Sequence, residues 1–260
     1  LGAAGDIAIG AVAGQGGFGF VNKGTISGSG VYRDISATGV SIGGLGGAVT
    51  VAGGLDNRGR IEAQAVNAGA TALRVGAGAT LPQIRNSSII NARGGGSASV
   101  VAAISIDAGA NVGTLRNSGS IMASSNDTGT AVAILDQAGT LTLVENSGAI
   151  SASSASSDSD RSAALDLRAS GGGVTMRQLA VAQNATAPRI NGNILLGSGS
   201  DLLDVADGTV TGTTRFGAGA DRLNLSGDAV YDGGVDFGTG AGTLMLSGTS
   251  AFRGTLSGEN

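Results

Sequence analysis

Apolar side chains recur at every second position in short runs, and Gly, Ala and Ser separate the runs. One instance is "LRNSGSI" from Leu115 to Ile121, with near-copies "FVNKGTI" from Phe20, "LDNRGRI" from Leu55, "IRNSSII" from Ile84 and "VENSGAI" from Val144. A second alternating run follows in each unit: "TGVSI" to Ile42, "ALRV" to Val75, "AISI" to Ile106, "VAIL" to Leu135 and "ALDL" to Leu167. A third and weaker run is seen in "AVTV" to Val51, "TLPQI" to Ile84, "TLTLV" to Val144 and "VTM" to Met176. Alternation with period two, broken by glycine every few residues, predicts strands and argues against helix.

Asn22, Asn57, Asn86, Asn117 and Asn146 mark the repeat at spacings of 35, 29, 31 and 29 residues. Such a period signals a stacked repeat architecture. If each unit is one coil of about three short strands, equivalent strands of successive coils lie in parallel about 4.8 Å apart. The expected fold is therefore all-β, a parallel β-helix. From Gly192 the period shortens, with Gly192, Gly212, Gly233 and Gly254 spaced by 20, 21 and 21 residues. The predicted organisation is one continuous solenoid: residues 1–150 in long coils of about 30 residues, 151–189 an irregular coil with the serine-rich loop "SASSASSDSD", and 190–260 in short coils of about 21 residues. "DIAIG" near the start matches the middle of a later unit, "ALRVG" around Leu73, so the chain is expected to begin partway through a unit of a longer protein.

Two residues before and four after each asparagine, the side chain is apolar: Phe20 and Ile26, Leu55 and Ile61, Ile84 and Ile90, Leu115 and Ile121, Val144 and Ile150. Even spacing places them on one face of a strand, so Ile26, Ile61, Ile90, Ile121 and Ile150 should form an interior ladder. The asparagines share that parity. They either stack amide on amide from coil to coil or supply a left-handed turn, for which Asn and Gly are the natural residues. The positions just before them, Asp56, Arg85, Arg116 and Glu145, are taken to face outward, pairing Asp56 with Arg85 and Arg116 with Glu145 across one coil.

Composition narrows the chemistry. The chain has 49 Gly, 2 Tyr, 5 Phe and no Trp, so its core must be narrow and filled by small aliphatic groups. Fifteen Lys and Arg against 19 Asp and Glu leave a net charge of −4, which gives no footprint for nucleic acid or an anionic membrane. Absence of Cys removes disulfides and thiolate sites, and suits a chain exported unfolded; absence of His removes the commonest base and metal ligand. No catalytic residue, cofactor or small-molecule substrate is assigned. Asp107, Asp136 and Asp166 fall near one place in successive coils and read as exposed polar positions of a half-buried strand. Asp158 and Asp160 read as solvated loop acids. "GSGSDLLDV" and "GAGADRLNL" resemble the nonapeptide of calcium-binding β-rolls, which makes Asp201 and Asp221 the candidate metal ligands. Here, however, the motif comes once per 20 or 21 residues, and Gly242 replaces the aspartate in the third copy.

The recurrent "NSGxI" and "NxGxI" units, followed by glycine-rich short coils with "GxGxD" turns, resemble the passenger region of bacterial autotransporters over nearly the whole chain. That resemblance implies a right-handed parallel β-helix, exported through an outer-membrane translocator barrel in the same full-length chain and displayed at the cell surface or secreted. It implies a structural or adhesive stalk whose partners are a host or neighbouring-cell surface, or the protein itself. Two other readings stay open: a β-helical enzyme or tailspike-type domain acting on polysaccharide, and a self-associating filament or surface-lattice subunit.

Overall fold

The computed structural model describes residues 1–259. Nearly every regular segment is a strand, and the strands stack into three parallel sheets running the length of the chain, one of eleven strands and two of nine. The fold is a parallel β-helix. We call the sheets A, B and C in the order the chain visits them within a coil. One coil consists of Asn111–Asn117 in sheet A, Ser120–Ser125 in sheet B and Thr130–Asp136 in sheet C.

Register is strict because one face of every strand is buried, and a slip by one residue would turn all its side chains inside out. In sheet B the isoleucine column runs Ile26, Ile61, Ile90, Ile121, Ile150 and Ile190, then Val210, Tyr231 and Phe252. From Ile61 to Tyr231 these side chains are fully buried. Each such aliphatic side chain contributes about 1.5–3 kcal/mol of transfer free energy. Toward the far end aromatics take over: Phe216 stacks on Phe237 at 5.1 Å and Tyr231 on Phe252 at 5.5 Å. The shorter coils thus fill their interior with fewer, larger groups.

Three expectations change. The strand carrying the asparagine ends there, as in Asn111–Asn117, and a new strand opens at Ser120; Leu115 and Ile121 therefore lie in sheets A and B, not on one strand. Both still point inward, because the asparagine sits at the corner between the two sheets. Near the start, Ile7–Ile9 pairs with Val49–Val51 in sheet A, so it aligns with the third run of a unit, not with the run around Leu73. Within "SASSASSDSD" the first part is strand: Ala149–Ser154 pairs with Ser120–Ser125, and the loop starts at Ala155. Residues 151–189 also feed sheet C through Ser162–Asp166 and sheet A through Thr175–Gln178. Among the described residues, no helix is long and apolar enough to cross a membrane.

Candidate functional site

The five asparagines form one ladder. The side-chain amide of Asn22 donates to Oδ1 of Asn57 at 2.8 Å, Asn57 to Asn86 at 2.8 Å, Asn86 to Asn117 at 2.8 Å and Asn117 to Asn146 at 2.9 Å. Asn146 passes the chain to Oε1 of Gln178 at 3.3 Å. Each amide also donates to a backbone carbonyl at the start of the next sheet B strand, such as Ile89 for Asn57 and Ala149 for Asn117. Oδ1 of Asn22 and Asn146 accept the backbone N–H two residues ahead, from Gly24 and Gly148. The stacking and the turn are thus two uses of one side chain. The turn is not left-handed: the non-glycine residues with positive φ are Asp34 and Asn67.

Gln178 is a rung that the sequence pattern misses. Met176 two residues before it keeps the apolar signal, but the isoleucine four residues after it is gone. Residues 179–188 are inserted before the next strand, and Ile190 fills that place. Beyond Gln178 the column becomes aliphatic, with Val205 and then Leu225 in register.

Asp56 stands in register with Arg85, Arg116 and Glu145 on the outward side of sheet A and pairs with Arg85 as the spacing predicts, but it is covered and not exposed. It is fully buried, and it receives Arg85 through two hydrogen bonds at 2.8 and 2.6 Å and Arg58 through one at 2.6 Å. Burial opposes its charge, but hydrogen bonds from Arg85 and then Arg58 outweigh that and hold its carboxyl below the usual carboxylate range. The Arg85 guanidinium also lies 4.7 Å from the centre of the Phe18 ring. Arg116 pairs with Glu145 at 2.7 Å at the surface, as the spacing predicts.

The acids that the sequence places close together are dispersed. Asp107 pairs with Arg74 and Asp166 with Arg168, whereas Asp136 is buried, not exposed, and accepts three backbone N–H groups from Ala138, Gly139 and Leu141 at 2.9–3.0 Å. The register explains this: Asp136 stands opposite Ile106 and Asp166 opposite Leu135, so neighbouring acids point to opposite sides. In the serine loop, Asp158 caps the short 3-10 turn Ser159–Arg161, and Asp160 pairs with Arg215 at 2.8 Å.

Asp201 and Asp221 lie one coil apart at equivalent positions and are both buried. Oδ1 of Asp201 accepts the Val174 N–H at 2.6 Å and Oδ1 of Asp221 accepts the Asp201 N–H at 2.8 Å; Oδ2 of each has no partner. Burial, augmented by the neighbouring Asp221, pushes Asp201 up to about 6, and burial raises Asp221 as well. Among the described residues no group of three or more His, Cys, Asp or Glu side chains could hold a metal ion. Burial thus disfavours the charged form of both carboxyls.

The outward face of sheet B carries a different arrangement. A depression of about 330 Å³ is lined by Gln64, Asn91, Arg93, Ser124, Asn126 and Ser151, among others. A second depression of about 340 Å³ continues from it past the shared residues Gln64, Ala65 and Asn126 to Arg33 and Asp127. The loops that leave sheet B, around Gly95 and Asn126, form one wall of this groove. Comparison of the chain with protein-family models, with curated proteins and with solved structures finds no match.

Proposed function

We propose that this chain is a structural and adhesive β-helical stalk of autotransporter type, displayed at a bacterial surface or secreted. In this reading it performs no catalysis and acts through extended shape and exposed faces. Export passes through an outer-membrane barrel belonging to the same full-length chain, and the partners are a host or neighbouring cell surface, or further copies of the protein.

The observation that carries the reading is the continuous parallel stack of all three sheets along the chain. Each coil touches only its neighbours, so the chain makes a rod whose outward columns repeat at about 4.8 Å. Such a body offers surface in proportion to its length. A chain free of Cys and His, with acids dispersed among arginine partners, fits a presenting role better than a reactive one.

The test is antibody labelling and protease shaving of intact cells that produce the protein. Labelling without permeabilisation is expected, and signal that appears only after permeabilisation sinks the surface reading. Binding of the purified chain to target cells tests adhesion. A second reading, self-association, draws on Val31 and Tyr32 in strand Thr25–Arg33, which are three-quarters exposed. A molecular mass that rises with protein concentration in light scattering would favour it.

A further inference from the structure

The groove on sheet B differs from the rest of the rod in what its polar side chains do. Along sheet A and the serine loop many amides and acids are committed: the Asn22–Gln178 ladder is closed, and Asp56, Asp107, Asp160 and Asp166 each hold an arginine. In the groove, Gln64, Asn91, Arg93, Ser124, Asn126 and Ser151 line one depression. Among the described residues none of these side chains makes a hydrogen bond or ion pair within the chain.

Asn91 is the sharpest case. Only 8 % of it is exposed, its amide has no partner in the protein, and it opens on the groove between Glu62 and Met122 of the adjoining strands. What little of Asn91 is exposed lies at the groove, so its amide is free to bond to a ligand there.

We propose that this groove binds an acidic polysaccharide, with a sugar carboxylate on Arg93 and sugar hydroxyls on the amides and hydroxyls around it. The inference deepens the adhesive reading and rests on it, since a rod that adheres must do so through a particular face. The lining selects the ligand class. Hydroxyls replace the bonds of the waters they displace, which an apolar ligand does not. Arg93 is the single charged group in the first depression, and guanidinium binds carboxylate through paired, charge-assisted hydrogen bonds.

A peptide strand is disfavoured because Ile89–Gly94 is already paired on both sides, with Arg60–Val66 and with Ser120–Ser125, so the floor offers no free main-chain edge. Single-stranded nucleic acid needs a cationic track with stacking aromatics, and the lining has neither.

The experiment uses the whole chain and immobilised hyaluronan, which carries regularly spaced carboxylates, with neutral dextran and poly-L-glutamate in parallel. Expected are retention on hyaluronan that weakens as salt rises, no retention on dextran, and at least about tenfold weaker binding for Arg93→Gln. Arg177→Gln, on exposed sheet A surface, is the charge control and should bind like the wild type. Circular dichroism and melting curves of both variants check that the fold is kept.

Absence of retention on hyaluronan, equal binding by Arg93→Gln, or equally tight Arg93-dependent binding of poly-L-glutamate overturns the proposal. Cell binding measured alongside separates it from the broader reading. Cell binding indifferent to Arg93 would remove the groove and keep adhesion, whereas Arg93-dependent hyaluronan binding without cell binding would do the reverse.

Discussion

The amide of Asn117 donates a 2.9 Å hydrogen bond to Oδ1 of Asn146, 29 residues later and one coil along the rod, while its own Oδ1 receives Asn86 at 2.8 Å. Every interior rung is therefore both donor and acceptor, and both neighbours are buried. Removing one rung breaks two ladder bonds together with a bond to the backbone.

Asn117→Ala should accordingly be among the most destabilising single changes. It breaks the ladder bonds to Asn86 and Asn146 and the bond to the Ala149 carbonyl, at about 0.5–1.5 kcal/mol for each bond lost. Asn22→Ala, with one ladder neighbour only, should cost about half as much. Urea unfolding of the two variants, with hydrogen exchange at the flanking amides, measures the difference; equal midpoints would count against a cooperative ladder.

Asp56 gives a prediction of opposite electrostatic sign. Replacing both Arg58 and Arg85 by Met leaves a buried carboxylate uncompensated, which should cost about 3–5 kcal/mol at pH 7. Because the folded-state pKa of Asp56 is lowered, the wild-type pair stabilises above the unfolded value of 3.8 and loses that contribution as pH falls through the folded value. The gap between wild type and the double variant should therefore narrow in acid. Thermal melts at pH 7 and pH 3 read it, and a gap that does not change with pH would contradict the assignment.

Asp201 and Asp221 behave in the reverse sense. For Asp201, well below 3.8 both folded and unfolded states are protonated; as pH rises the unfolded chain loses its proton first, so stability falls between about 4 and 6 and then levels, and the raised Asp221 acts in the same direction. A folded-state pKa of about 6 against 3.8 corresponds to roughly 3 kcal/mol for Asp201. Asp201→Asn keeps the acceptor for Val174 N–H and removes the charge, so it should be more stable than wild type at pH 7.5 and no more stable at pH 4. Melting curves at the two values test this. Calcium added to the wild type at pH 7.5 should leave the melting temperature unchanged, in keeping with two carboxyls and no third acidic ligand.

Gly233 and Gly234 are adjacent and should respond differently to alanine. Gly233 has φ of 153°, and a Cβ there would lie 1.9 Å from the Gly212 carbonyl oxygen, whereas the nearest atoms to a Cβ on Gly234 are those of the Thr213 and Thr255 side chains at 3.5–3.6 Å. Gly233→Ala should cost about 2–4 kcal/mol through backbone displacement, and Gly234→Ala less than about 1 kcal/mol. Chemical denaturation of the pair provides the comparison.

The asparagine spacing, the isoleucine parity and the shortening at Gly192 carried the fold, because a stacked solenoid writes each core position into the chain once per coil. Parity also carried the inward direction of Asn117 and the Arg116–Glu145 pair. It failed at corners and insertions. Alternation counts residues along one straight strand, so it could not place Leu115 and Ile121 in different sheets, could not show that Asp56 is covered on its outward side or that Asp136 is turned inward onto backbone N–H groups, and lost Gln178 where eleven residues intervene before Ile190. The groove was invisible for a related reason. Gln64, Asn91, Arg93, Ser124 and Ser151 share no motif, and only the stacking of four coils sets them side by side on one sheet face. The sequence alone determined the periodic interior, where the hydrophobic effect acts identically in every coil. Tertiary structure decided the corners, the buried charges and the outward face, where each group's state depends on neighbours some thirty residues away.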